Sequence, residues 1–523
     1  MKADYRPFLG RRMSAFSGGQ IAVLFFALLL LISIPILTHP LPPLSDYVNH
    51  LARMHVIATI DRNPLIARFY QIDWQIIPNL TMDLLVPILG RFMNIYLAGE
   101  VFIILTFALI MSGTLALNRA LMGRWSIVPF AALPLLYNYV FLVGLMNYIF
   151  GIGVALWALA IWISLRDRHP VWRLAASSGF VVVLFFCHLS ALGIYGVGLL
   201  AYEALRLVQA TEKPLKWRLA EFVGAGLPFL AAVPLVLASP TMQLVSATYW
   251  EQRGKIDGLI YVIEIYSDIV AFALTGLVVA GLAWAARHRI LHVHPFALSL
   301  LIVSAAVYLA MPRVMFATYM ADQRIPIAVA FMFAACVDVE LRHRIVRRGF
   351  LVLLLIIIAV RLIEVGVNWS SLADSTSEFR SSVRRIWPGS MVFVAYADGT
   401  QGSDVKDLGL VHAACLAMIE RSSLVTTAFT VQGKQILHPR PEYRDFVDPE
   451  DATPPSISYL MLATRQPAPA LPAFWLNWPK FDYLYVLFTE EDAPNPDPSR
   501  LTLVQEGDRF QLYRINKLAP PNP

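Results

Sequence analysis

The stretch GFLVLLLIIIAVRLIEVGV, Gly349 to Val367, is an almost unbroken apolar run. An α-helix needs about 20 apolar residues to cross the hydrocarbon core of a bilayer, and this run has that length. Its flanks orient it. Arg342, Arg344, Arg347 and Arg348 precede it, while beyond it the chain turns polar at Asn368 and continues through residues 368–523 with mixed charge and many prolines. Lys and Arg are retained on the cytoplasmic side of a span, so everything after Asn368 is expected to lie outside.

Working outward from this run, further apolar segments recur at roughly 20–38, 99–117, 126–143, 146–165, 173–190, 191–208, 219–238, 267–286, 294–311 and 325–339, giving about eleven spans. The basic residues fall in every second loop: Lys2, Arg6, Arg11 and Arg12; Arg119 and Arg124; Arg166, Arg168 and Arg173; Lys213, Lys216 and Arg218; Arg287 and Arg289; and the four arginines before Gly349. With eleven spans, all of them share one face; a wrong count would scatter them over both. The first span runs into Thr38-His39-Pro40, which is no small-residue cleavage site, so it reads as an uncleaved anchor. Three larger pieces are expected outside: residues 39–98, 239–266 and 368–523.

The composition agrees. The chain has 523 residues, 57% hydrophobic and 15% charged, which is that of a polytopic membrane protein. Its net charge of +6 does not indicate nucleic-acid binding, because membrane insertion already accounts for the basic loops. Of the three cysteines, Cys187 and Cys336 fall in spans and only Cys415 outside, so no disulfide framework is expected. The sequence shows no zinc-type His/Cys spacing, no P-loop and no GxGxxG.

The piece at 39–98 is too long for a connector. A helix is expected from Ser45 as N-cap, and Asp46, Asn49, His50 and Arg53 then recur at i, i+3, i+4 and i+7, on one face. A second, more apolar piece, Trp74 to Val86, reads as a helix or re-entrant segment along the membrane surface, with Asp83 its sole acid. In residues 368–523 the pattern predicts a helix over 372–386, a strand Met391 to Tyr396, a helix over about 408–420 containing His412, and strands Phe481–Phe488, Leu501–Gln505 and Arg509–Ile515. The expectation is an α-helical membrane module, residues 1–367, followed by an extracytoplasmic α/β domain, residues 368–523.

The span centres hold almost no charge, whereas ion-coupled transport usually needs acids at the midplane. The polar residues crowd the outer ends instead, which favours chemistry at the membrane surface. Asp46 is the leading acid: a general base or ligand, or else a helix-start acid satisfying the dipole. His50 and Arg53 share its face, and Arg suits a phosphate diester or diphosphate. Asp83, in an apolar stretch, is a second acid. Arg313, Asp322 and Arg324 lie between spans nine and ten and can hold a lipid-linked phosphate or pair among themselves. His188 stands at the outer end of span five as a site residue or an interhelical hydrogen-bonder. Asn138 and Asn147, between spans three and four, can line a sugar pocket or satisfy their turn.

The stretch Pro43-Leu44-Ser45-Asp46-Tyr47-Val48-Asn49-His50-Leu51-Ala52-Arg53, with the long first outer loop, the span number and a tail containing FDYLYVLF and Leu512-Tyr513-Arg514, resembles the GT-C superfamily of integral-membrane glycosyltransferases, including bacterial members that modify lipid A and other envelope glycans. The resemblance implies a polyprenyl-phosphate sugar donor, a lipid or glycan acceptor and a place in the bacterial inner membrane, with the C-terminal domain periplasmic. It implies Asp46 as catalytic base, His50 assisting, Asp83 as second acid, and Arg53 and Arg324 on the donor phosphate, with a divalent metal used by some members and not by others. Many members carry two adjacent acids in the first loop, whereas Tyr47 follows Asp46 here. Two competing readings are a flippase or exporter of a lipid-linked glycan, which needs a polar path through the spans, and a non-catalytic envelope assembly protein, which tolerates Asp46→Asn.

Overall fold

The computed structural model describes residues 16–244, 248–315, 318–400, 405–450, 453–465 and 471–517. Lys2, Arg6, Arg11 and Arg12 of the orientation argument lie outside the described residues.

Among the described residues, seven helices are long and apolar enough to cross a membrane: Ile95–Met122, Met146–Ser164, Pro170–Cys187, Leu189–Gln209, Leu215–Ala238, Asp268–Arg287 and Arg344–Val383. Shorter apolar helices occupy Gly18–Ile32, Val128–Val143, Phe296–Ala310 and Ile325–Ala335, the other four places of the expected rhythm. Proline explains where regular helix fails, since it removes a backbone donor and clashes with the preceding turn. The segment 126–143 holds a 3-10 stretch, Val128–Leu136, containing Pro129 and Pro134, before the turn of helix Tyr139–Val143. The segment 219–238 is divided by a 3-10 stretch, Leu227–Ala232, with Pro228 at its start, and the first segment breaks at Ser33, ahead of Pro35.

The centre of the bundle is the pair Ile95–Met122 and Met146–Ser164. Two glycines set their separation. A Cβ on Gly113 would stand 2.8 Å from the Leu156 Cβ, and one on Gly153 would stand 2.7 Å from the Leu109 side chain. Small residues allow such backbone approach where lipid supplies no hydrophobic drive between helices.

Among the described residues, nine short strands occur in chain order: β1 Tyr70–Ile72, β2 Leu291–Val293, β3 Val337–Val339, β4 Met391–Tyr396, β5 Leu424–Val425, β6 Leu437–Pro439, β7 Tyr483–Leu487, β8 Leu501–Gly507 and β9 Phe510–Ile515. β4 lies parallel to β5 and β7, and β9 lies antiparallel to β7 and β8, giving the order β5-β4-β7-β9-β8. The strands expected in the tail are there, and the hairpin turns at Asp508-Arg509, with Arg509 in the left-handed region. β2 pairs with β3, and Asp338 of β3 takes an ion pair from Arg124 and a hydrogen bond from Ser126. The three loops at 118–126, 288–294 and 336–343 therefore meet at one end of the bundle, as the alternation of basic loops requires.

Three expectations are corrected. The last span does not end near Val367: Arg344–Val383 is one helix of 40 residues, about 60 Å at 1.5 Å per residue, long enough to cross a bilayer and project beyond it. No proline interrupts it before Pro388, and lone glycines such as Gly366 are tolerated in helices. The helix expected over 408–420 is two 3-10 turns, Leu408–Leu410 and Ala413–Cys415, followed by Leu416–Arg421. Trp74 to Val86 starts as irregular chain, with Asn79 in the left-handed region, and becomes helical at Thr81–Leu89. The first long loop is also joined to the tail: β1 pairs with β6 in the register Tyr70 to Pro439 and Ile72 to Leu437.

Candidate active site

The helix Tyr47–Thr59 begins one residue later than expected, with Asp46 in the N-cap position, yet the Asp46 side chain makes no capping hydrogen bond. The helix start is held from behind. The backbone N–H groups of Ser45 and Asp46 donate to the carbonyls of Leu142 and Val143 at 2.9 and 3.0 Å. The approach depends on Gly144, which has φ +91° and whose Cβ, if present, would stand 2.8 Å from the Asp46 nitrogen. The carboxylate is thus aimed by docking of the main chain and not occupied by its own helix terminus.

Asp46 lines a cavity of about 590 Å³ together with His50, Tyr148, His188, Arg324, His412 and Phe429. Three parts of the chain converge here: the first long loop, the sheet-side ends of the spans, and the region after the 40-residue helix. Apolar side chains, among them Met146, Ile194, Val307 and Met311, also line the wall.

His412 Nε2 faces Asp46 Oδ1 at 3.7 Å, and its Nδ1 lies 3.1 Å from Asn49 Nδ2. Asn49 in turn donates to the Thr427 carbonyl at 2.7 Å and accepts from the Phe429 N–H at 2.9 Å. Burial pushes the His412 pKa down to about 4, so the ring is neutral at neutral pH. His50 is held well below its ordinary value, first by burial, then by the nearby Arg53 charge, and last by the neighbouring His412 ring. Its Nδ1 is buried without a hydrogen-bond partner. The Phe429 ring packs against both imidazoles, at 5.3 Å from His50 and 4.9 Å from His412.

On another wall, Arg324 precedes the helix Ile325–Ala335. Its Nη2 donates to the Tyr319 carbonyl at 3.0 Å, and its Nε is buried without a partner. Its Nη1 stands 2.7 Å from His188 Nε2, while His188 Nδ1 accepts from the Ser190 N–H at 3.0 Å. A guanidinium N–H, like a backbone N–H, can only donate, so both His188 ring nitrogens face donors, and at 2.7 Å Nε2 accepts from Arg324. His188 thereby helps orient the Arg324 guanidinium at the cavity wall. The Arg324 backbone is fixed by Tyr148, whose hydroxyl donates to its carbonyl.

Of the residues expected from sequence, Asp46, His50, His188 and Arg324 meet in this cavity, and the others do not. Arg53 and Asp83 bind each other, Nε to Oδ1 at 2.7 Å and Nη2 to Oδ2 at 3.0 Å, both buried. The residues offered as a phosphate cation and a second acid therefore neutralise one another, tying Tyr47–Thr59 to Thr81–Leu89. Arg313 and Asp322 pair at 2.9 Å, with Lys255 on Asp322 at 2.8 Å and Glu251 on Arg313 at 3.0 Å. That closed charge network braces the loop ahead of Arg324. Asn138 caps Tyr139–Val143, accepting from the Phe141 N–H. Asn147 accepts from the Met82 N–H and donates to Asn79. Both asparagines satisfy backbone and do not line the cavity.

His412, Asn49 as its partner, and Gly144 had no reading as site residues in the sequence. No spacing rule links positions 46 and 412; their apposition exists only in three dimensions. As for the divalent metal that some GT-C members use, no group of three or more His, Cys, Asp or Glu among the described residues is placed to hold one, so no step is routed through a metal.

No family model and no curated protein matches the sequence. The structure, however, is similar to that of ArnT from Cupriavidus metallidurans bound to undecaprenyl phosphate, with a TM-score of 0.53 over 97% of this chain and 100% of that one, at 12% identity. The fold is like that of this ArnT structure. The arrangement seen here is a bundle of apolar helices, a first long loop folded over one end, and a sheet-bearing region that pairs with that loop.

Proposed function

We propose that this chain is a glycosyltransferase of the inner membrane that moves a sugar from a polyprenyl-phosphate donor to an envelope lipid or glycan on the periplasmic face. The observation that supports it most is the opposition, within one cavity beside apolar walls, of the Asp46 carboxylate to the Arg324 guanidinium. The similarity to ArnT, which was solved with undecaprenyl phosphate bound, supports the same donor class. A prenyl chain held in the bilayer places its sugar–phosphate bond at the surface. There Asp46 takes the proton of an acceptor hydroxyl as that oxygen attacks the anomeric carbon. The bond from that carbon to the phosphate oxygen breaks, and the departing phosphate takes its negative charge to the Arg324 guanidinium, which His188 helps orient. A direct displacement of this kind inverts the anomeric centre.

The test is mass spectrometry of envelope glycolipids in cells carrying the wild type, a deletion or Asp46→Asn at matched expression. Loss of the same sugar-mass increment in the deletion and in Asp46→Asn is the expected result. An unchanged glycolipid profile in the deletion overturns the transferase reading, and loss in the deletion alone overturns Asp46 as base.

A further inference from the structure

Asn49 fixes the proton position on a ring that the first loop does not contain. Its Oδ1 accepts from the Phe429 N–H and its Nδ2 donates to the Thr427 carbonyl. Backbone donors and acceptors cannot exchange roles, so these two bonds determine which end of the amide is which. The Nδ2 end is the one beside His412 Nδ1, at 3.1 Å. A donor at that place makes Nδ1 the acceptor, and the single proton of the neutral ring must then sit on Nε2. Nε2 is the nitrogen that faces Asp46 Oδ1, at 3.7 Å.

We propose that His412 is the positioning residue of Asp46, pointing an N–H at one carboxylate oxygen so that the acid stays ionised and holds one orientation toward the acceptor. This rests on the reading of Asp46 as the base. The 3.7 Å separation is longer than a closed hydrogen bond, and such contacts tighten when substrate fills a site. The other groups around the ring fit the role. Phe429 packs against its face, His50 is buried and neutral, and Arg324 senses the same Asp46 carboxylate across the cavity. Lys434 and Glu450 line the cavity farther along the chain. The consequence is that catalysis needs the region after the 40-residue helix to be docked on the first loop, because His412 arrives only with it. The β1–β6 pairing and the Asn49 bonds are what hold it there.

The experiment uses membranes containing the full-length protein. Lipid extract from a deletion strain serves as acceptor and the polyprenyl-phosphate-sugar fraction of wild-type cells as donor, and initial rates are followed by mass spectrometry from pH 4 to 9. His412→Phe keeps the ring volume and removes the N–H; His412→Ala takes its place should it not fold, as judged by thermal unfolding. His412→Gln offers an amide N–H in its stead. The expected result for His412→Phe is a loss of about tenfold in kcat with little change in KM, since a hydrogen bond to a charged group is removed. The acid limb of kcat/KM moves up by about one pH unit, because the charged form of Asp46 loses support. His412→Gln recovers most of both. A His412→Phe enzyme with wild-type kcat and acid limb, alongside an inactive Asp46→Asn, overturns the proposal while leaving the base reading intact. An active Asp46→Asn overturns both.

Discussion

Arg53 and Asp83 hold each other through two parallel hydrogen bonds inside the protein, with side chains 2% and 1% exposed. This fork joins the helix that begins at Asp46 to the next helix of the same loop, so a pair that looks catalytic in the sequence is a brace beneath the site. Removing one partner of such a pair strands a buried charge, whereas replacing both with apolar groups of similar size is far milder. Asp83→Ala is expected to destabilise by about 3–5 kcal/mol, and Arg53→Met with Asp83→Leu is expected to recover much of that loss. Thermal unfolding in detergent, single variants against the double, measures it.

Arg324 is expected to contribute to donor binding and not to folding. If the proposed donor class is right, undecaprenyl phosphate is expected to raise the melting temperature of the wild type by mass action. Arg324→Ala abolishes that rise. Arg324→Lys keeps part of it, because a lysine supplies charge without the planar fork. An equal rise in Arg324→Ala removes Arg324 from the phosphate site.

Acid is expected to destabilise the contact between the first loop and the sheet-bearing region. His412 is buried with its pKa lowered from 6.5 to about 4. Above pH 6.5 both folded and unfolded rings are neutral, and the group makes stability independent of pH. As pH falls from 6.5 toward 4, the unfolded ring takes up a proton that the folded ring refuses, and stability is lost, up to about 3 kcal/mol from this residue. The His50 ring, also lowered, adds in the same direction. Melting temperature against pH is the measurement, and His412→Gln should flatten its acid side.

Gly144→Ala is expected to damage the site through the main chain. At φ +91° a side chain is strained, and its Cβ would meet the Asp46 nitrogen at 2.8 Å. Left-handed backbone alone costs about 1–2 kcal/mol for a non-glycine residue, and the clash displaces Asp46. Sugar transfer in the cell-based assay should fall sharply at an expression level where Gly179→Ala, on the helix Pro170–Cys187 with open space at its Cβ, has no effect.

The sequence by itself determined the rhythm of apolar segments, the alternation of basic loops, the tail strands, and Asp46 as a candidate acid. Each of these is written in local pattern: span length, charge of short loops, period-2 alternation, and a helix face read at i, i+3, i+4. Tertiary structure decided which charges face the cavity and which are paired away from it. Asp83 reads from sequence as a second acid beside Asp46, until Arg53 is seen to occupy it, and Asp322 is likewise taken by Arg313 and Lys255. It also decided that His412 belongs beside Asp46. The reason is physical: the energy of a buried charge or a hydrogen-bonding ring depends on the groups that fold against it, and those here lie up to hundreds of residues away along the chain.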